Sequence, residues 1–128
     1  MEALEPVAYS IQEGASGTYT ATIVGNDEVT PLADVTLSTL TLTLYVVKID
    51  GTKSYIRGTA SVPQNILNAN NVIVTAAGLL TWTVQPADTA LVEAVSYERH
   101  IALFEYTWPG GAGKHEIILV VKNLSDVP

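Results

Sequence analysis

The segment Thr39–Val47 alternates without a break. Leu40, Leu42, Leu44 and Val46 fall on one side, and Thr39, Thr41, Thr43 and Tyr45 on the other. Successive side chains of an extended strand point to opposite faces, so this pattern builds one apolar face and one hydroxyl-bearing face. A helix would spread the same leucines around its circumference. Sheet is therefore expected here, and an apolar sheet face needs a second layer across it.

The same period recurs along the chain. Thr18–Val24 sets Tyr19, Ala21 and Ile23 against Thr18, Thr20 and Thr22, while Leu79–Val84 sets Leu80, Trp82 and Val84 against Thr81 and Thr83. Asn71–Thr75 reads as a shorter strand. Turn-forming residues separate these runs at Gly25-Asn26-Asp27-Glu28, Asn70-Asn71, Ala77-Gly78 and Gln85-Pro86-Ala87-Asp88. Asp50-Gly51 predicts a two-residue hairpin between Val46–Ile49 and Thr52–Ile56. Asp88 is expected to form an Asx turn or to cap a helical turn over Thr89–Val92. Val62–Asn68 fits either a helical turn or an extended crossover.

Seven to eight short strands with no strong helix predict an all-β fold, an immunoglobulin-like antiparallel β-sandwich forming a single domain over residues 17–128. A small barrel or jelly roll is the architectural alternative. Residues 1–16 are set apart as an N-terminal arm, because Pro6 and Glu13-Gly14-Ala15-Ser16-Gly17 interrupt regular structure. Val7-Ala8-Tyr9 also suits addition to a sheet edge; otherwise the arm is a frayed terminus or, since Val7, Tyr9 and Ile11 alternate, a segment that docks on a neighbour.

The last hairpin carries the most information about assembly. Glu98–Trp108 and Lys114–Lys122 are strand candidates joined by Pro109-Gly110-Gly111-Ala112. Ala102, Phe104, Tyr106 and Trp108 share one face and leave Ile101 and Leu103 on the other; Ile117, Leu119 and Val121 likewise oppose Ile118 and Val120. A sheet open to water on one side carries polar residues there. The second face therefore needs a cover, either a loop or arm of the same chain or another subunit. Ile101, Leu103, Ile118 and Val120, together with Val7, Tyr9 and Ile11, are the candidate partner-binding residues.

At 128 residues the chain can bury a substantial core, and 48% hydrophobic against 15% charged residues excludes a disordered chain. A net charge of -7 with no basic cluster argues against nucleic acid as a partner. The absence of cysteine excludes disulfides and thiolate chemistry. The first residues lack the basic segment and apolar core of a secretory leader, and apolar runs are too short to span a membrane.

The chemistry-bearing residues do not assemble into a recognisable centre. If the tip pairs Trp108 with Gly113, then His115 lies near Tyr106 and His100 near Val121, roughly 20 Å apart, too far to share a metal. The same register sets Glu105 against Glu116, a pair of acids that would be solvated, salt-bridged or cation-binding before it was catalytic. Asp27-Glu28 and Asp34 do not have calcium-loop spacing, and Asp50 and Asp88 are better explained as turn residues. Pro109–Lys114 lacks the spacing, the following hydroxyl residue and the helix of a phosphate loop. Ser61, Ser96 and Ser125 lie in no nucleophile motif. Thr39, Thr41 and Thr43 read as ordinary sheet surface, and Trp82, Phe104, Tyr106 and Trp108 as core or interface in preference to a sugar platform. No enzyme activity, cofactor or metal is implied.

Several segments carry a resemblance to a known group of proteins. They are Leu40–Tyr45, Asp50-Gly51-Thr52, Asn65–Asn70, Leu79–Asp88, His100–Trp108 and Gly113–Glu116. Across residues 18–126 the chain resembles small immunoglobulin-like structural and accessory proteins of tailed bacteriophages. That resemblance implies a noncatalytic virion component, made in the bacterial host cytoplasm and placed in the virion, as a capsid decoration or head accessory protein. Its partners would be other phage virion proteins, with a homo-oligomer left open and neither nucleic acid nor membrane involved. A tail-associated receptor- or glycan-binding module is the alternative.

Overall fold

The two most strictly alternating segments become strands over their full expected length and send their apolar sides into one core. These are β3 (Thr39–Val47) and β7 (Leu79–Val84). The remaining strands, in chain order, are β1 (Val7–Gln12), β2 (Gly17–Thr22), β4 (Lys53–Arg57), β5 (Gln64–Asn65), β6 (Val72–Val74), β8 (Tyr97–Trp108) and β9 (Gly111–Lys122). A 3-10 turn at Pro86–Thr89 joins β7 to the approach to β8. The computed structural model describes residues 7–25, 27, 29–93 and 95–123. Among these the strand elements are nine, more than the seven to eight expected.

The strands form two sheets. The larger runs β1-β9-β8-β3-β4, with β5 also paired to β3, and the smaller runs β2-β7-β6. Setting β9-β8-β3-β4 against β2-β7-β6 is the strand allocation of a variable-type immunoglobulin sandwich. The ladders are antiparallel except that β1 runs parallel to β9. The expected separate arm is therefore corrected: its Val7–Gln12 portion is an integral edge strand, and residues 1–6 lie outside the described residues.

The core lies between the sheets. Leu40, Leu42, Leu44, Ala102, Phe104, Ile117 and Val121 from the larger sheet meet Tyr19, Leu80, Trp82 and Val84 from the smaller. Trp82 meets Phe104 edge-on, with ring centroids 5.7 Å apart. Each fully buried large apolar side chain contributes about 1.5–3 kcal/mol, which is why both sheets keep a strict period of two on this side.

Two turns differ from the expected ones. Val47 pairs with Lys53, so Asp50-Gly51 lies within a longer connection closed by the Lys48 amide bonding to the Thr52 carbonyl. Asp50 stabilises it by accepting hydrogen bonds from the Thr52 hydroxyl and amide, which hold its carboxyl below the ordinary carboxylate range. At the last hairpin Trp108 pairs with Gly111, leaving Pro109-Gly110 as the tip and Gly111 and Ala112 inside β9. This moves the pairing by two residues from the expected register. Tyr106 lies over Gly113, where a side chain would intrude into its ring, so the observed register places the glycine where the tyrosine needs space.

A register irregularity in the β3–β4 ladder has a larger consequence. Tyr45 pairs with Tyr55, but the next residue of β3, Leu44, pairs with Arg57, so Ile56 is the extra residue of a bulge. A bulge re-aims the side chain beyond it. Arg57 turns from the outer face, where Tyr55 projects, toward the interior, and is buried there.

Candidate functional site

The face of the larger sheet turned away from the core is built by odd-numbered positions of β3 and β8 and even-numbered positions of β9. Their registers define rows across the sheet. Ile118, Ile101, Tyr45 and Tyr55 form one row, with Val120, Arg99, Val47 and Lys53 on one side of it and Glu116, Leu103 and Thr43 on the other. Ile101, Leu103, Ile118 and Val120 are all half-buried in the described chain. Tyr45 packs on Tyr55 at 5.9 Å between centroids, and the Lys53 ammonium stands 4.8 Å from the Tyr45 ring.

The apolar surface continues past one end of these rows. Val47, Ile49 and Tyr97 are 48%, 81% and 63% exposed. With Glu93, Val95, Glu98, Arg99 and Ile101 they line a depression of about 430 Å³. The apolar and aromatic side chains are interrupted by Arg99 and bordered by Lys53 and Lys122; grouped exposed apolar residues call for an explanation that scattered ones do not.

The charges are unevenly placed. Of the six Lys and Arg residues, Arg57 is buried and Lys48 lies in a turn; Lys53, Arg99, Lys114 and Lys122 project from this face. Lys114 stands opposite Glu105, at 3.9 Å. Arg99, Lys122 and Glu116 form no ion pair among the described residues.

The expected partner-binding residues therefore separate into two groups. Ile101, Leu103, Ile118 and Val120 share the outer face. Val7, Tyr9 and Ile11 instead pair with Ile117, Leu119 and Val121 in β9, whose side chains enter the core. Ile11 packs on the core, and Tyr9 meets Tyr19 edge-on at 5.5 Å. Ile11 serves the chain's own fold, which corrects its assignment to a neighbour; Tyr9 touches Tyr19 but is 42% exposed, and Val7 is placed by its strand pairing. Parallel addition to β9 satisfies the backbone groups along one side of the arm, and β1 remains the edge of the sheet. Tyr45, Tyr55, Val47 and Tyr97 were not among the expected site residues. Tyr45 and Val47 lie on the non-core side of the Thr39–Val47 alternation, and that period is the signal by which they could have been found.

The histidines are taken up by structural contacts. His100 is fully buried, with Nε2 2.6 Å from a Glu98 carboxylate oxygen and Nδ1 2.7 Å from the Asp88 carbonyl. The Glu98 carboxylate also accepts the amides of Val92 and Glu93, pinning the segment that leads into β8. His115 Nε2 lies 2.6 Å from the Tyr19 hydroxyl. Burial, with Tyr9 nearby, raises the Tyr19 phenol above its ordinary range. His115 pairs with Phe104, not Tyr106, so the two histidines are four positions apart, roughly 14 Å, instead of the expected six. Among the described residues no three His, Asp or Glu side chains are grouped to hold a metal.

The carboxylates are corrected likewise. Glu105 faces Lys114 and Glu116 faces Leu103, so the expected acid pair does not form. Asp88 does not cap Thr89–Val92; it sits in the 3-10 turn, accepts the Gln85 amide and binds Arg57 through both oxygens. Asp27 accepts the Val29 and Thr30 amides and the Thr30 hydroxyl, which lowers its carboxyl to about 2. Asp34 accepts from Val35 and Asn68. Trp82, Phe104 and Tyr106 are core residues, and Trp108 stacks on Tyr106 at 5.8 Å.

In comparisons with known proteins, no family model and no curated sequence matches the chain. No helix among the described residues is long and apolar enough to cross a membrane.

Proposed function

We propose that this chain is a noncatalytic structural protein of a tailed-bacteriophage virion, a capsid decoration or head accessory protein that acts through protein–protein contacts. The observation that carries this reading is the outer face of the larger sheet. Its Ile101, Leu103, Ile118, Val120, Tyr45 and Tyr55 surface lies on the side away from the core and is half-buried, and the exposed Val47, Ile49 and Tyr97 extend it. On a particle, a modest contact gains strength from symmetric repetition of its binding sites. The protein would reach the virion from the bacterial host cytoplasm, with virion proteins as partners and with neither nucleic acid nor membrane involved.

Imaging empty heads of the encoding phage after mixing with purified protein tests this reading. Regular occupancy on the capsid is expected, with this face turned toward a neighbouring subunit. Binding confined to the tail, or no binding, would reject it. A second reading, a tail-associated receptor- or glycan-binding module, has one supporting feature: a cleft of about 420 Å³ between β1 and β2, where Tyr9 stands beside Ser16, Thr18 and Thr20. Protection of Tyr9 by oligosaccharide would favour that alternative.

A further inference from the structure

We infer that β2 pairs with β2 of a second copy of the chain, antiparallel and across a twofold axis at Thr20. The small sheets of the two copies then form one continuous sheet. This contact uses a sheet edge, separate from the outer face of the larger sheet, and does not depend on the proposed virion role.

The edge strands of the two sheets are β1 and β4 in the larger and β2 and β6 in the smaller, and they are not alike. An open edge presents a row of backbone groups to any extended chain, and proteins blunt it with short strands, charges, proline or bulges. β4 carries Lys53 and the bulged Ile56, and β6 has three residues. β1 is bracketed in sequence by Glu5-Pro6 and Glu13. β2 has none of these devices. Gly17–Thr22 is six residues long, uncharged, free of proline and regular in its pairing with β7.

Backbone bonding fixes which groups of β2 are left open. The Ile23 amide bonds to the Gly78 carbonyl, one step past the Thr22–Leu79 pair. Bonded pairs alternate with unbonded ones in an antiparallel ladder, so Ala21, Tyr19 and Gly17 direct their backbone groups to β7. The far side of β7 agrees. There the Thr83 amide bonds to the Asn71 carbonyl and the Leu79 carbonyl accepts the Thr75 amide, which turns the odd-numbered residues of β7 toward β6. Thr18, Thr20 and Thr22 therefore aim N–H and C=O away from the sheet, and all three are exposed.

A second β2 satisfies these groups. Residues directly opposite one another share a face, so a twofold axis perpendicular to the sheet sets one residue opposite its own copy. With Thr20 on the axis, Thr18 faces Thr22 of the second copy, and every outward group of the three threonines is paired. Moving the axis to Tyr19 or Ala21 opposes Thr22 or Thr18 to a residue outside β2. On the core side Tyr19 meets Ala21 of the second copy, a large side chain against a small one. On the solvent side threonine meets threonine, a favourable cross-strand pair.

Sedimentation equilibrium of the full chain, from about 5 to 500 µM, and amide exchange by NMR test the inference. A reversible monomer–dimer equilibrium is expected, because an edge contact is narrower than a standard interface. The Thr18, Thr20 and Thr22 amides should be protected in the dimer and not in the monomer, while Tyr19 and Ala21, already bonded to β7, are protected in both. Thr20→Lys and Thr20→Glu each set like charges opposite one another and should each weaken the dimer about fivefold. Mixing the two variants should restore it as a heterodimer. Thr20 is exposed, and thermal denaturation checks that both variants fold. A chain monomeric throughout this range would overturn the inference. So would a dimer whose three threonine amides still exchange fast, or variants that associate no better mixed than apart.

Discussion

Arg57 and Asp88, 31 residues apart in sequence, meet through two hydrogen bonds, Nε to Oδ1 at 2.6 Å and Nη2 to Oδ2 at 2.7 Å. The guanidinium also donates to the Asn70 carbonyl, Gln64 Oε1 and Asn71 Oδ1. Its carbon lies 5.7 Å from the Trp82 ring centroid. One side chain thereby joins β4, the asparagine loop before β6 and the 3-10 turn before β8. The geometry exists because the bulge at Leu44/Tyr45 turns Arg57 inward.

Removing either member leaves the other charge buried without its partner. Arg57→Ala and Asp88→Ala should each cost about 3–5 kcal/mol in denaturant unfolding. The double variant should cost much less than the sum. Additive losses would show that the pair does not act as a unit.

Tyr19 links stability to alkaline pH. Burial raises its phenol above the ordinary 10.0, so the folded chain holds this proton more tightly than the unfolded chain does. The contribution is full below pH 10 and is lost as pH rises above it. The denaturation midpoint should fall from pH 9 to pH 11, and Tyr19→Phe should fall less steeply over the same interval. Parallel curves would refute the assignment.

Asp27 shifts in the opposite direction and at the opposite end of the scale. Its hydrogen bonds to Thr30 and Val29 favour the carboxylate, so the turn they hold is intact above the ordinary carboxylate range and is lost as pH falls through about 2. A carboxyl titration by NMR should show Asp27 with a midpoint near that value, with the Thr30 amide following it. A midpoint at the ordinary 3.8 would show that the turn does not form.

Gly58 has φ +65, and a Cβ there would lie 2.6 Å from the Gln64 amide nitrogen. The obstruction is backbone, which cannot rotate aside. Gly58→Ala should therefore destabilise by about 1–3 kcal/mol, measured from the unfolding midpoint. A neutral substitution would contradict the close approach of β4 to β5.

The sequence was most legible where local period and tertiary burial agreed. Thr39–Val47 and Leu79–Val84 alternate because one face enters the core, and the strands follow that pattern to its ends. The final hairpin was legible in its faces but not its register, since Pro109-Gly110 and the following Gly111-Ala112 offer competing tips. Gly113 opposite Tyr106 distinguishes them only once packing is seen. The Arg57–Asp88 pair was not legible, because a bulge changes which face a residue occupies without changing the local sequence pattern. Parallel pairing of β1 to β9 joins chain segments more than a hundred residues apart. The alternation of Val7, Tyr9 and Ile11 fits that edge as well as it fits a neighbour. Ile101, Leu103, Ile118 and Val120 were legible as a shared face because both strands of the hairpin are apolar on both sides.

The proposed role depends most on whether the outer face is covered in the assembled particle. Hydroxyl-radical footprinting can compare dilute free protein with protein bound to phage heads. Tyr45, Tyr55 and Tyr97 are expected to lose most of their reactivity on binding, while Tyr9, on the edge strand β1, retains its own. Full reactivity of the three tyrosines on saturated particles would contradict the account.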